Sequence, residues 1–132
     1  LIADIQRDTG IALLFVSHDL SVVRHLSRRL LVLYLGKVME YGDAAMLFAN
    51  PRHPYTRSLL DAVPVPDPAV ERARRPPPLS GELPSPLAPP SGCVFRTRCP
   101  RASPVCAITP PPLRGGPQSR FACHHPLEEQ TP

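Results

Sequence analysis

Eighteen of the twenty prolines in this 132-residue chain lie beyond residue 63, and ten of them fall within residues 64–90. Each proline removes an N–H donor and fixes φ, so that stretch is expected to sustain neither helix nor sheet ladder. The packed core must then come from roughly the first half of the chain, too few residues to bury a large core unaided. All four cysteines also lie in the proline-rich remainder.

Within the first half, residues 11–16 (IALLFV) form an unbroken apolar run that inverts abruptly into Ser17-His18-Asp19. With no alternation, both faces should be covered, which is the pattern of a central parallel strand. Asp19 is placed to cap a following helix in which Leu20, Val23 and Leu26 recur at helical spacing. Residues 30–35 read as a second strand that turns at Gly36 into KVMEYG, whose shorter and more polar pattern suits an edge strand. Upstream, Leu1, Ile2 and Ile5 form the apolar face of a helix stopped by Asp8-Thr9-Gly10. Beginning in such a helix, at Leu1 rather than Met, the chain is expected to be the C-terminal fragment of a longer protein.

Asp43 should cap a short helix over residues 44–48 that stops at Asn50-Pro51. HPYTRSLLDAVP then opens another, with Pro54 in its first turn and Tyr55, Leu59 and Ala62 as its apolar stripe. The order of helix, buried strand, helix, strand and hairpin partner predicts an α/β fold, the tail of a doubly wound domain.

The formal charge of +4 comes almost entirely from arginine, Lys37 being the only lysine. These arginines are scattered and lack an aromatic-interleaved basic patch, which argues against nucleic acid as a partner. No apolar run approaches the ~20 residues a membrane-spanning helix needs.

In open α/β sheets, ligands gather beyond the carboxyl ends of the parallel strands. His18 sits at such an end, directly before a helix. A neutral imidazole there donates one hydrogen bond to a phosphate oxygen while a neighbour holds its other nitrogen. On spacing alone, a histidine after a strand is more often structural.

The surrounding sequence shifts that balance. LLFVSHDLSVVRHLSRRLLVLYLGKVMEYG resembles the end of the nucleotide-binding domain of ABC transporters, where a buried strand ends in a Ser-His-Asp switch. The likeness continues through HPYTRSLLDAVP and through LSGELPSP and PPSGCVFRTRCP, in the order found in ATP-binding subunits of oligopeptide and dipeptide importers. It implies the C-terminal part of a P-loop ATPase, with His18 as the catalytic and nucleotide-binding switch residue that contacts the γ-phosphate of ATP and helps to place the attacking water. Asp19 is then a cap rather than a catalyst. Arg28 departs from the family, which usually has an acidic residue there.

No G-x-x-x-x-G-K-[ST] phosphate loop occurs, and no apolar strand ends in an Asp-Glu pair. The ligands of ATP and Mg²⁺ are therefore expected upstream of Leu1, and this piece alone is expected to be inactive. The resemblance further implies transmembrane permease subunits, a second ABC ATPase subunit and, indirectly, an extracytoplasmic peptide-binding protein as partners. It implies a peripheral position on the cytoplasmic face of the membrane.

Cys93, Cys99, Cys106 and Cys123 are separated by five, six and sixteen residues. Paired disulfides fit the count but not an intracellular subunit. Structural zinc fits four thiolates, yet no close C-x₂-C knuckle occurs. An iron–sulfur cluster would be offset by Arg96, Arg98 and Arg101, cations that also favour the ligating thiolate, and Cys99-Pro100 is a step seen in cluster-binding loops. The resemblance leans the same way, because the importer family includes members whose C-terminal cysteines hold a four-iron, four-sulfur cluster. Alternatively, the tail is a docking extension with unligated thiols. His124 and His125 follow Cys123 as substitute ligands.

The expected organisation is residues 1–50 as the end of the nucleotide-binding domain and 51–63 as the importer helix. Residues 64–90 are the proline-rich linker, 91–126 a four-cysteine metal-binding extension and 127–132 a disordered tail. The rival from another class is a non-catalytic iron–sulfur or zinc protein-interaction module.

Overall fold

The computed structural model describes residues 2–64, 67–73, 79 and 81–128. Helix α1 (Ile2–Thr9) closes on Gly10, whose φ of 68° and N–H to the Gln6 carbonyl (2.9 Å) end it as the sequence predicts. Helix α2 (Leu20–Leu26) has Asp19 as its cap, accepting from the Ser21 and Val22 amides. Strands β1 (Arg29–Tyr34) and β2 (Lys37–Asp43) form the expected hairpin, turning through Leu35 and Gly36, both at positive φ.

Helix α3 (Ala44–Ala49) is capped by Asp43, and α4 (Pro54–Asp61) by the side chain of His53. The proline-rich stretch departs from expectation in one place. Helix α5 (Pro68–Ala73) forms there because its proline occupies the first helical position and Asp67 caps the Ala69 and Val70 amides. Helix α6 (Pro104–Ile108) and the short strands β3 (Arg114–Gly115) and β4 (Ser119–Phe121) complete the order.

Two further differences concern the sheet. Residues 11–16 form no strand, and Leu14 and Val16 are 96% and 89% exposed. A strand apolar on both faces needs a hydrogen-bonded neighbour, and every pairing among the described strands is antiparallel and made elsewhere. Strand β2, expected at an edge, lies inside the order β1-β2-β4-β3. Its second edge is filled by β4, in the register Glu40 with Phe121, Tyr41 with Arg120 and Gly42 with Ser119. The chain therefore folds back some eighty residues to pair its cysteine-bearing part with its first hairpin.

The core forms at that junction. A register shift between Val32 and Leu33 leaves consecutive residues Met39 and Glu40 both buried. Phe95 is fully buried, with Tyr34, Tyr55 and His53 ring centroids at 5.3, 5.1 and 5.8 Å. Cys93, Val94 and Cys106 complete the same cluster, so the extension supplies about half of the apolar core. Tilted and edge-on aromatic pairs of this kind add ~0.5–1.5 kcal/mol each beyond area burial. Among the described residues, no helix is long and apolar enough to cross a membrane.

Candidate functional site

His18 lies in the short turn between residues 11–16 and α2. Ser17 Oγ accepts the Asp19 N–H at 2.9 Å, and Asp19 turns its carboxylate onto the first amides of the helix. The cap thus occupies Asp19, the role expected for it, while the His18 side chain is solvent-exposed rather than packed into the core. An exposed imidazole beside a fixed turn is available to an external acceptor.

All four cysteines are free thiols; Cys93, Cys106 and Cys123 are buried and Cys99 is half-buried. The Cys93 N–H donates to the Cys106 carbonyl at 2.7 Å, tying the first and third together. Cys123 feels Cys99, Cys93 and Cys106 electrostatically, so the set converges on one region of the fold. Burial pushes the thiols of Cys93 and Cys99 up and Cys123 up to about 11. This reverses the expectation that nearby arginines favour the thiolate. Arg96 and Arg101 do lower Cys93 and Cys99 respectively, but desolvation outweighs them.

Donor chemistry suits a thiolate-bound metal, yet no group of three or more His, Cys, Asp or Glu among the described residues is arranged to hold a metal ion. The structure thus lends no support to the iron–sulfur or zinc reading, nor to the metal-binding module built on it. The proposed substitute ligands are engaged elsewhere: His124 Nε2 lies 2.8 Å from the Thr109 carbonyl, and His125 Nε2 lies 2.6 Å from Ser103 Oγ. Of the three arginines expected to face the thiols, Arg98 is instead among the charges acting on Tyr55.

Sequence reasoning missed the buried polar node. Glu40, with no exposed surface, accepts the Arg52 N–H at 2.8 Å and the His53 N–H at 3.0 Å. His53 Nδ1 in turn accepts the Tyr55 N–H at 3.0 Å, which starts α4. Arg52 stacks over Phe121, with 5.0 Å to the ring centroid, and exchanges two hydrogen bonds with the backbone of Leu127. Leu127, expected in a disordered tail, is therefore tied down, while 129–132 lie outside the described residues. Burial raises the Glu40 carboxyl, against lowering by Thr56 and by the Arg52 and His53 amides. Burial also drives the His53 ring down to about 4. One signal was available: Glu40 directly follows the apolar pair Val38-Met39, and an Arg-His-Pro turn whose amides could meet a buried carboxylate follows twelve residues later.

Two clefts flank residues 117–118, one toward Met46, Asn50 and Phe121 and one toward Arg28, Arg29 and Asp43. Neither is lined by His18 or a cysteine.

Residues 39–106 match the family model described as the oligopeptide/dipeptide transporter, C-terminal region. The chain belongs to this family. The match takes in Glu40, His53, Phe95 and the first three cysteines, and leaves His18 and Cys123 outside it. Similar curated proteins agree with it. The chain is 52% identical over 123 residues to the oligopeptide transport ATP-binding protein OppF of Salmonella typhimurium, covering 93% of this chain and 37% of that protein. It is 54% identical to a probable peptide ABC transporter ATP-binding protein, y4tS, of Sinorhizobium fredii (94% and 35% covered). It is 50% identical to a putative oligopeptide transport ATP-binding protein, YkfD, of Bacillus subtilis (94% and 38% covered). The chain thus spans a little over a third of the length of these relatives. Within the matched segment, His53, Pro54 and Tyr55 open α4, with the His53 amide held by Glu40 of β2 and the His53 and Tyr55 rings against Phe95.

Proposed function

We propose that this chain is part of the energy-coupling subunit of an ABC importer of oligopeptides or dipeptides, a subunit that binds and hydrolyses ATP with Mg²⁺. The observation that carries the reading is the family match over residues 39–106, together with relatives about half identical and named as peptide-transport ATP-binding proteins. His18 is the residue of this chain proposed to meet the γ-phosphate. Its exposure at a turn fixed by Ser17 and Asp19 is compatible with that role.

The partners proposed are transmembrane permease subunits, a second ATPase subunit and, indirectly, an extracytoplasmic peptide-binding protein. The subunit would sit peripherally on the cytoplasmic face of the membrane. In such a machine, two nucleotide-binding subunits close on ATP and reopen after hydrolysis, and the permease follows. The decisive experiment is uptake of a labelled oligopeptide by vesicles carrying the assembled transporter. Uptake that requires ATP supports the reading; uptake unaffected by its withdrawal, or an assembly that moves no peptide, contradicts it.

Cys93, Cys99, Cys106 and Cys123 are proposed as the thiols that would take a four-iron, four-sulfur cluster or zinc. Such a group would supply cross-linking of the proline-rich part. The reading rests on the four free thiols and on the resemblance to the importer family, and not on a ligand arrangement in the fold. Iron, sulfide and zinc analysis of the anaerobically purified subunit tests it; a metal-free preparation of native stability overturns it.

A further inference from the structure

Arg28 and Arg29 line a cleft of about 390 Å³ together with Asp43, Pro117 and Gln118. That volume lies in the range of small-molecule sites, ~300–1,000 Å³. Two main-chain bonds hold its walls together. The Ala44 N–H donates to the Arg28 carbonyl at 2.9 Å, and the Asp43 N–H donates to the Gln118 carbonyl at 2.8 Å. The cleft thus forms where residues 117–118 dock against the end of the first hairpin, and both arginines are solvent-exposed. Their charges are unbalanced: among the described residues, no carboxylate pairs with either guanidinium. Asp43, the acid among the lining residues, has one oxygen occupied by the Met46 amide at 3.2 Å. Arg29 lies over the Tyr41 ring, 4.5 Å from its centroid. Such stacking fixes the plane of a guanidinium while leaving its N–H edges free, so less rotamer freedom is lost when an anion binds. A carboxylate has two oxygens and fills one such fork, whereas a phosphoryl group offers three and serves two.

We propose that Arg28 and Arg29 form a site for the phosphate of a small phosphomonoester, with Pro117 and Gln118 as the wall contributed by the cysteine-bearing part of the chain. The cleft has room beyond the phosphoryl group for the organic part of such a ligand. Because its walls come from residues 28–43 and from residues 117–118, a bound ligand also ties the two halves of the chain together. It therefore stabilises the fold in step with its own concentration.

Titration calorimetry of the full chain with inorganic phosphate and with glycerol phosphate, at an ionic strength held constant with chloride, tests this. Both should bind the wild type. Arg28→Gln and Arg29→Gln should each weaken binding about tenfold, the loss of one charge-assisted hydrogen bond. Tyr41→Leu, which keeps both charges but removes the stack, should weaken it by less. Should Arg29→Gln fail to fold, Arg28→Gln, which leaves the strand and the stack in place, carries the comparison. The proposal is overturned if neither phosphate binds the wild type. It is equally overturned if both arginine variants bind phosphate as tightly as the wild type, which would put the anion elsewhere. Acetate bound as tightly as phosphate overturns the phosphate assignment.

Discussion

Glu40 and His53 sit thirteen residues apart in sequence, yet the buried Glu40 carboxylate holds the His53 amide at 3.0 Å and the Arg52 amide at 2.8 Å. A carboxylate replaces the neighbouring strand that these two amides lack, and so fixes the start of α4. Replacing it leaves two buried N–H groups unpaired. Glu40→Ala is expected to cost about 2–5 kcal/mol, read as a lower denaturant midpoint. Glu40→Gln should cost less but still destabilise, because its NH₂ faces one donor with another.

The His53 ring gives the same node a pH dependence. Its pKa falls from the usual 6.5 to about 4 through burial, so between those values the unfolded chain binds a proton that the folded chain refuses. Stability from this group is complete above about pH 6.5 and is lost as pH falls toward 4, by about 3 kcal/mol in all. Glu40 works in the opposite sense, its raised carboxyl penalising stability as pH climbs above 4.5. Comparing wild type with His53→Asn, which keeps a capping oxygen but does not titrate, isolates the histidine. The wild type should lose ground to His53→Asn steadily from pH 6.5 to 4; a constant difference would contradict this account.

Phe95 is the point at which the extension enters the core, touching Tyr34, Tyr55 and His53 with no exposed surface. Phe95→Ala should cost about 3–5 kcal/mol. Calorimetry should show one cooperative transition shifted downward, because both halves of the chain share this residue. A second, separate transition would mean that the halves unfold independently.

Gly42 makes the β2–β4 pairing possible. Any Cβ there would collide with the Gln118 carbonyl, whose oxygen accepts the Asp43 N–H at 2.8 Å. Gly42→Ala should therefore loosen β4 before the hairpin, with faster amide hydrogen exchange at Arg120 and Phe121 and little change in β1. Unchanged exchange at β4 would contradict it.

Much of the local structure was legible in the sequence because its signals are local. Asp19 and Asp43 cap the helices they were expected to cap, Gly10 ends α1, and Gly36 turns the hairpin. What escaped was non-local. The partner of β2 lies eighty residues away in a three-residue strand, too short to carry a periodic signal. Glu40 reads as a surface acid in a polar strand until the Arg52-His53 turn folds over it. Residues 11–16 were expected as a central strand covered on both faces, but no described strand pairs with them and Leu14 and Val16 stand exposed. The arginines near the cysteines were expected to act together; Arg96 and Arg101 act on the thiols of Cys93 and Cys99, whereas the charge of Arg98 acts on Tyr55. Of the candidate site, His18 was expected at the carboxyl end of a buried strand and lies instead in an exposed turn, since residues 11–16 form no strand; the burial of the thiols was not foreseen either.

The central claim is that His18 serves ATP hydrolysis, and ATP turnover by the full-length subunit with His18→Ala tests it most directly, with nucleotide binding measured alongside. The account predicts that turnover falls by about 10²-fold or more, a loss on the scale of a removed proton-transfer or transition-state contact, while nucleotide still binds and the melting temperature is unchanged. Turnover within twofold of the wild type would contradict it.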